Sequence, residues 1–188
     1  MQENLEFVQK GFRALHPVMA GYLGRELNRV YKNSWWEEVK VALSDQINDL
    51  PINGEYSELI DSLDVANCLR LIDRRWNEVF RDKLSKDYRT WSTALMGVRN
   101  KIAHVGMQDI DQAYAERALD TMALLCEAFD GEGAEEIRAL YRTLRYGSAQ
   151  GSAAVSEVSA PVPDKKSNSA GVLKKHVGEN LPRWRAVM

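Results

Sequence analysis

Apolar residues in the first half of the chain recur every three or four positions, the spacing that lines one face of an α-helix. Leu5, Val8, Phe12 and Leu15 make the first such stripe, and Val18, Tyr22, Leu23, Leu27, Val30 and Tyr31 the second. His16-Pro17 lies between them and predicts a break, with Pro17 as the first residue of a new helix. Ser34-Trp35-Trp36-Glu37 has the form of a capping box and predicts a third helix over about 35–48, with Val39, Leu43 and Ile47 on its apolar face. The turn formers Leu50-Pro51-Ile52-Asn53-Gly54 follow. Asp64 then offers an N-cap to a segment carrying Val65, Cys68, Leu69, Ile72, Trp76, Val79 and Phe80.

Ser85 can cap the next helix, whose stripe of Tyr88, Trp91, Leu95, Val98 and Ile102 ends near Val105-Gly106. Asp109, with Gln112 three positions on, predicts a capping box for a helix bearing Ala113, Leu119, Met122, Leu125 and Phe129. Gly131 and Gly133 interrupt, and Ile137, Leu140, Tyr141 and Leu144 form a last short helix. No window alternates with period two between hairpin turns, so the pattern predicts an all-α helical bundle.

From Gly147 to about Asn180 the chain turns to Gly, Ser, Ala, Pro and Lys. Few large apolar groups remain there to offset the entropy of ordering, so a disordered C-terminal tail is expected. The organisation is then a helical domain over 1–146, a flexible linker over 147–180 and a further short segment over 181–188. The tail beyond Tyr146 carries a net +3 while the whole chain carries −2, which leaves −5 on the helical part. No overall positive field exists to hold nucleic acid, so any RNA site must be local. The lysine pairs of the tail suit solubility better than a partner.

Cys68 and Cys126 fall within amphipathic stripes, where a free thiol acts as a small buried hydrophobe. His16 and His176 have no companions at metal-ligand spacing, so neither metal nor cofactor is expected. The chain opens Met-Gln-Glu-Asn-Leu-Glu, without a basic leader, and has no run of about 18 apolar residues, which points to a cytoplasmic protein without a membrane partner.

The stretch with the most chemistry is Leu95-Met96-Gly97-Val98-Arg99-Asn100-Lys101-Ile102-Ala103-His104. It resembles the Arg-x4-His motif of HEPN domains, small helical modules of RNA-cleaving defence and toxin proteins. The wider chain resembles the Swt-type subgroup of that family, in Leu15-His16-Pro17-Val18, Gly24-Arg25-Glu26-Leu27, Trp35-Trp36-Glu37-Glu38 and the run from Leu71 to Phe80. Matches continue through Ala113-Tyr114 and from Arg117 to Met122, so the resemblance spans about residues 5–146. It implies metal-independent endoribonuclease chemistry, in which a ribose 2'-hydroxyl attacks the adjacent phosphorus.

Such a reaction needs a proton carrier near neutral pH, a role for His104, and fixed charge on the transition state, a role for Arg99. Asn100 shares a helix face with His104, where its amide can orient the imidazole or hold the ribose. Asp73, in the run Asp73-Arg74-Arg75-Trp76, is a further substrate-binding candidate. A solvated face with Trp76 in the core explains that run more simply. Trp35 and Trp36 suit packing better than base stacking.

Residues five apart on a helix point about 140° apart, so one chain does not close an Arg99–His104 site. The resemblance implies a homodimer through the motif helices, with a two-fold shared cleft. A second reading is a non-catalytic HEPN module that dimerises, binds RNA or recruits a partner. Leu181-Pro182-Arg183-Trp184 and the residues after it resemble the opening of an ATPase region that follows this subgroup in phage-defence proteins, so a fused or associated ATPase is a candidate partner. The chain has no Gly-x4-Gly-Lys-Ser/Thr phosphate loop of its own.

Overall fold

The computed structural model describes residues 3–45, 50–104, 109–129, 131 and 133–147. Seven α-helices and no strand occur among them, in agreement with the all-α expectation. Ile47, Val105-Gly106, His176 and the segments assigned over 148–188 lie outside the described residues.

Helix α1 runs unbroken over Glu3–Tyr31, which corrects the break expected at Pro17. A proline inside a helix removes one amide donor and costs about 3 kcal/mol. Its ring is on the exposed side here, while Leu15, Met19, Leu23 and Leu27 on the other side are fully buried. Each such side chain stabilises by roughly 1.5–3 kcal/mol, so the shared apolar face outweighs the proline.

A single 3-10 turn, Lys32–Ser34, leads to α2, Trp35–Ala42. The capping box expected at Ser34 does not form, because its hydroxyl donates back to the Tyr31 carbonyl at 2.8 Å. Trp35 and Trp36 are buried, and the Trp36 indole donates to the Pro51 carbonyl at 2.9 Å. They belong to the core, as their position on an amphipathic helix suggests.

Helix α3, Tyr56–Asp61, has no counterpart in the sequence pattern. It is too short for a periodic stripe, and it forms by seating Leu59 and Ile60 in the core. Gly24 of α1 makes that approach possible, since a Cβ there would overlap the Ile60 side chain. Gly11 plays the same part against α6, where a Cβ would sit 2.6 Å from Leu119 and 2.8 Å from Met122.

Asp64 caps α4, Val65–Arg74, accepting from the Asn67 amide at 2.7 Å as its sequence position predicts. The helix then widens into a π turn over Trp76–Phe80 that keeps Trp76, Val79 and Phe80 buried. Helix α5 spans Lys86–His104, α6 spans Gln112–Ala128 and α7 spans Ala134–Arg142. Gly131 and Gly133 take positive φ in the turn between α6 and α7, where glycine is unstrained. A last π turn, Thr143–Gly147, buries Leu144.

The cap of α6 is Asp111, which accepts from the Tyr114 amide at 3.0 Å. Asp109, the expected cap, instead accepts from the amides of Asn4 at 3.1 Å and Leu5 at 2.8 Å. It therefore caps the first turn of α1 from far along the chain. Helix α1 packs mainly against α6 and α7, and α4 against α5. Helix α5 also touches α6, so it lies at the edge of the bundle.

Candidate functional site

Helix α5 buries only Ser92, Leu95 and Val98, which leaves most of its circumference to half-buried or exposed groups. Its pairing with α4 is antiparallel: Asp73 faces Arg89 at 2.8 Å near one end, and Asp64 faces Arg99 at 3.8 Å near the other. That second pair fixes where Arg99 points. The Arg99 side chain is 38% exposed and makes no hydrogen bond among the described residues, so an incoming anion can compete for its donors. At 3.8 Å the Asp64 carboxylate steers it by charge rather than by a close bond.

His104 is the last residue of α5 and is exposed, with no hydrogen-bond partner among the described residues. Asn100, one turn earlier, is exposed as well. With about 100° between successive residues, Met96, Asn100 and Ala103 share a strip of α5 roughly 60° wide. Measured from Met96, Arg99 stands roughly 60° to one side and His104 roughly 80° to the other. The helix thus presents the two groups as flanks of a seam, and a single copy does not bring them together. A second helix laid along the seam would place both in one cleft.

A family model described as Swt1-like HEPN matches residues 10–130, which include both flanks of this seam. The chain belongs to the Swt1-like HEPN family. No curated protein and no solved structure matches it. HEPN modules in general bind RNA or cut it, and they dimerise, so an accessible motif helix at the bundle edge suits the family.

The other charged residues of the HEPN domain divide into structural and free groups. Arg75 reaches the Glu38 carboxylate at 2.8 Å and Glu78 at 3.1 Å, and packs its guanidinium 5.6 Å from the centre of the Tyr31 ring. The Tyr31 hydroxyl donates to Glu78 at 2.6 Å. Burial, with that bond second, pushes its phenol up to about 12. Arg74 pairs with Asp45 and donates to the Ala42 carbonyl. These two arginines therefore tie α1, α2 and α4 together and hold no free charge for phosphate. Asp73, bound to Arg89, lines a shallow groove with Thr90, Thr93 and Ala94, apart from Arg99 and His104.

His16 is half-buried, and its Nε2–H donates to the Leu63 carbonyl, which pins the turn carrying Asp64 to α1. Cys68 and Cys126 are buried thiols outside any disulfide among the described residues, the reading their apolar stripes suggested. Burial raises both, Cys126 to about 11, which keeps them unreactive. Among the described residues no group of three His, Cys, Asp or Glu is placed to hold a metal, and no helix is long and apolar enough to cross a membrane.

Two features of the site carry no signal that spacing could reveal. Asp64 is legible as a cap but not as the partner of Arg99, because that pairing depends on how α4 and α5 pack. The Lys101 ammonium sits 4.0 Å from the centre of the Tyr114 ring of α6, and the linear sequence does not foretell it.

Proposed function

We propose that this HEPN domain is an endoribonuclease module that cuts single-stranded or looped RNA without a metal ion, in an anti-phage defence or toxin system, and works as a homodimer through α5. The observation that carries this reading is the condition of Arg99 and His104. Both stand on α5, both reach solvent, and neither makes a hydrogen bond among the described residues, Arg99 having only a loose ion pair with Asp64 at 3.8 Å.

The chemistry asks little more of the protein. The 2'-oxygen bonds to phosphorus as the bond from phosphorus to the 5'-oxygen breaks, leaving a 2',3'-cyclic phosphate and a 5'-hydroxyl. Arg99 meets the charge that grows on the non-bridging oxygens, with its planar fork suited to two of them. One imidazole accepts the 2'-hydroxyl proton, and a protonated imidazole, His104 of the partner subunit, gives a proton to the leaving 5'-oxygen. Asn100, on the seam beside His104, orients the imidazole or holds the ribose. Asp73 of α4, paired with Arg89 toward the far end of α5, contacts flanking nucleotides.

A two-fold axis across the line Met96–Asn100–Ala103 makes the interface isologous and brings the Arg99 and His104 of both copies to one shared cleft. His104→Ala should lower cleavage of a fluorescent RNA by roughly 10²–10⁴-fold while dimer and helicity persist. Undiminished cleavage by that variant would overturn the assignment.

The divergence of Arg99 and His104 on one helix favours a second reading, in which the module dimerises and binds RNA, or recruits a fused or associated ATPase, without cutting. Purified protein that binds RNA and never cleaves it, with or without chelator, would support this alternative.

A further inference from the structure

A groove of about 390 Å³ runs between α5 and α6 beside the motif. Buried Val98 and Ala118 give it an apolar floor, and exposed Gly97, Lys101 and Arg117 line it with the half-buried Tyr114. We propose that this groove is a subsite for one nucleotide of single-stranded RNA, its base on the apolar floor and its phosphate between Lys101 and Arg117. The inference rests on the RNA-cleaving reading above and specifies where the strand runs after it leaves the scissile bond.

Charge is the first argument for that occupant. Neither Lys101 nor Arg117 forms an ion pair among the described residues, on a domain whose helical part is net acidic. Lys101 is held over the Tyr114 ring, which locates the ammonium without neutralising it as a carboxylate would. An uncharged ligand would give these two cations nothing to meet, whereas a phosphate satisfies both.

Gly97 is the second argument. Glycine within a helix costs roughly 0.5–1 kcal/mol relative to alanine, and close packing excuses it at Gly11 and Gly24. At Gly97 an added Cβ would meet nothing within 4 Å. Among the described residues no neighbour requires the missing side chain, and its absence keeps the groove open. The volume of about 390 Å³ is near the lower end of small-ligand sites, about 300–1,000 Å³, and is enough for a nucleotide.

Position is the third. Lys101 and Gly97 precede His104 by three and seven residues, so they share its side of α5 and face away from the seam. A strand whose phosphate is held at the seam can pass His104 and reach the groove.

Binding of a fully 2'-O-methylated, uncleavable oligonucleotide of about 12 residues to the full chain, followed by fluorescence anisotropy, tests this directly. Gly97→Leu fills the groove and should weaken binding roughly tenfold, the scale expected for one stacked base. The double variant Lys101→Ala with Arg117→Ala, both exposed, should lower the slope of log affinity against log salt by about 0.7, the value for one single-strand phosphate that is no longer neutralised. Both variants should remain dimeric by sedimentation.

Unchanged affinity and slope in the double variant would overturn the subsite, and so would dissociation of the dimer by Gly97→Leu, which would make the groove an interface between copies. Should Gly97→Leu fail to fold, the double variant decides alone. His104→Ala separates the two ideas, since it should bind the oligonucleotide normally. Cleavage that depends on His104 but ignores the groove variants would sink the subsite and leave the nuclease. Groove-dependent binding without cleavage would do the reverse.

Discussion

Helices α1 and α5 are the two longest in the domain, and they use their length differently. Helix α1 buries twelve of its 29 residues, whereas α5 buries three of its 19. Three glycines show the same contrast, since Gly11 and Gly24 are small because neighbouring side chains crowd them, while Gly97 faces open space. One helix is held from several sides and organises the core. The other is held along one edge and offers the rest of its surface to something else.

Core truncation should give the widest separation between the two. Leu23→Ala in α1 should cost about 2–5 kcal/mol, because a fully buried side chain leaves a cavity, and urea unfolding monitored by circular dichroism reads it. A change below about 1 kcal/mol would mean that α1 is not the organising element.

The glycines sharpen the comparison by sign. Gly24→Ala gains about 1 kcal/mol of helix propensity but forces Ile60 aside at about 1–3 kcal/mol, for a net loss near 1 kcal/mol. Gly97→Ala meets no such obstacle and should raise stability by roughly 0.5–1 kcal/mol. Equal effects at the two positions would erase the distinction.

Asp109 tests how distant parts of the chain are joined. Removing its cap of α1 with Asp109→Ala should cost about 1 kcal/mol. Burial pulls this carboxyl up, and the amides of Leu5, Asn4, Ile110 and Glu3 outweigh it, so it sits below the ordinary carboxylate value. Its contribution is therefore present above about pH 4 and is lost as pH falls through the depressed value. Thermal melts between neutral and acid pH should show a flatter acid limb for Asp109→Asn than for the parent protein.

The smallest effect belongs to the exposed face of α5, where Thr93→Ala should change stability by less than about 0.5 kcal/mol in the same denaturation assay. A larger loss in the monomer would show that this face is packed after all.

Much of the fold was legible in local patterns. The stripe from Val65 to Phe80, the Asp64 cap and the burial of Trp35 and Trp36 all follow from spacing, because each depends on neighbours within a turn or two. Of the corrected expectations, the Ser34 capping box fails for a local reason, its hydroxyl bonding back to Tyr31, while those at Pro17 and Asp109 fail for reasons of tertiary packing. Pro17 breaks an isolated helix, and only the apolar face of α1, covered on several sides, keeps it in one piece. Asp109 looks like a local cap because Gln112 follows it, but the orphan amides it satisfies belong to α1. Helix α3 has no periodicity to read and exists because Gly24 gives Ile60 a place to lie. At the site, Arg99, Asn100 and His104 could be named in advance from the motif, whereas the Asp64 partnership and the stacking of Lys101 on Tyr114 needed the packing of α4 and α6 against α5.

The order of residues alone determined that the chain is helical, which side of each helix is apolar and where the Arg-x4-His motif sits, since these are properties of spacing within single turns. The tertiary structure decided that α5 lies at the edge, that Arg99 is drawn to one flank by Asp64 while His104 faces the other, and that a groove opens at Gly97. Those outcomes depend on which helices meet, and the energy of such meetings is shared among residues far apart in the chain.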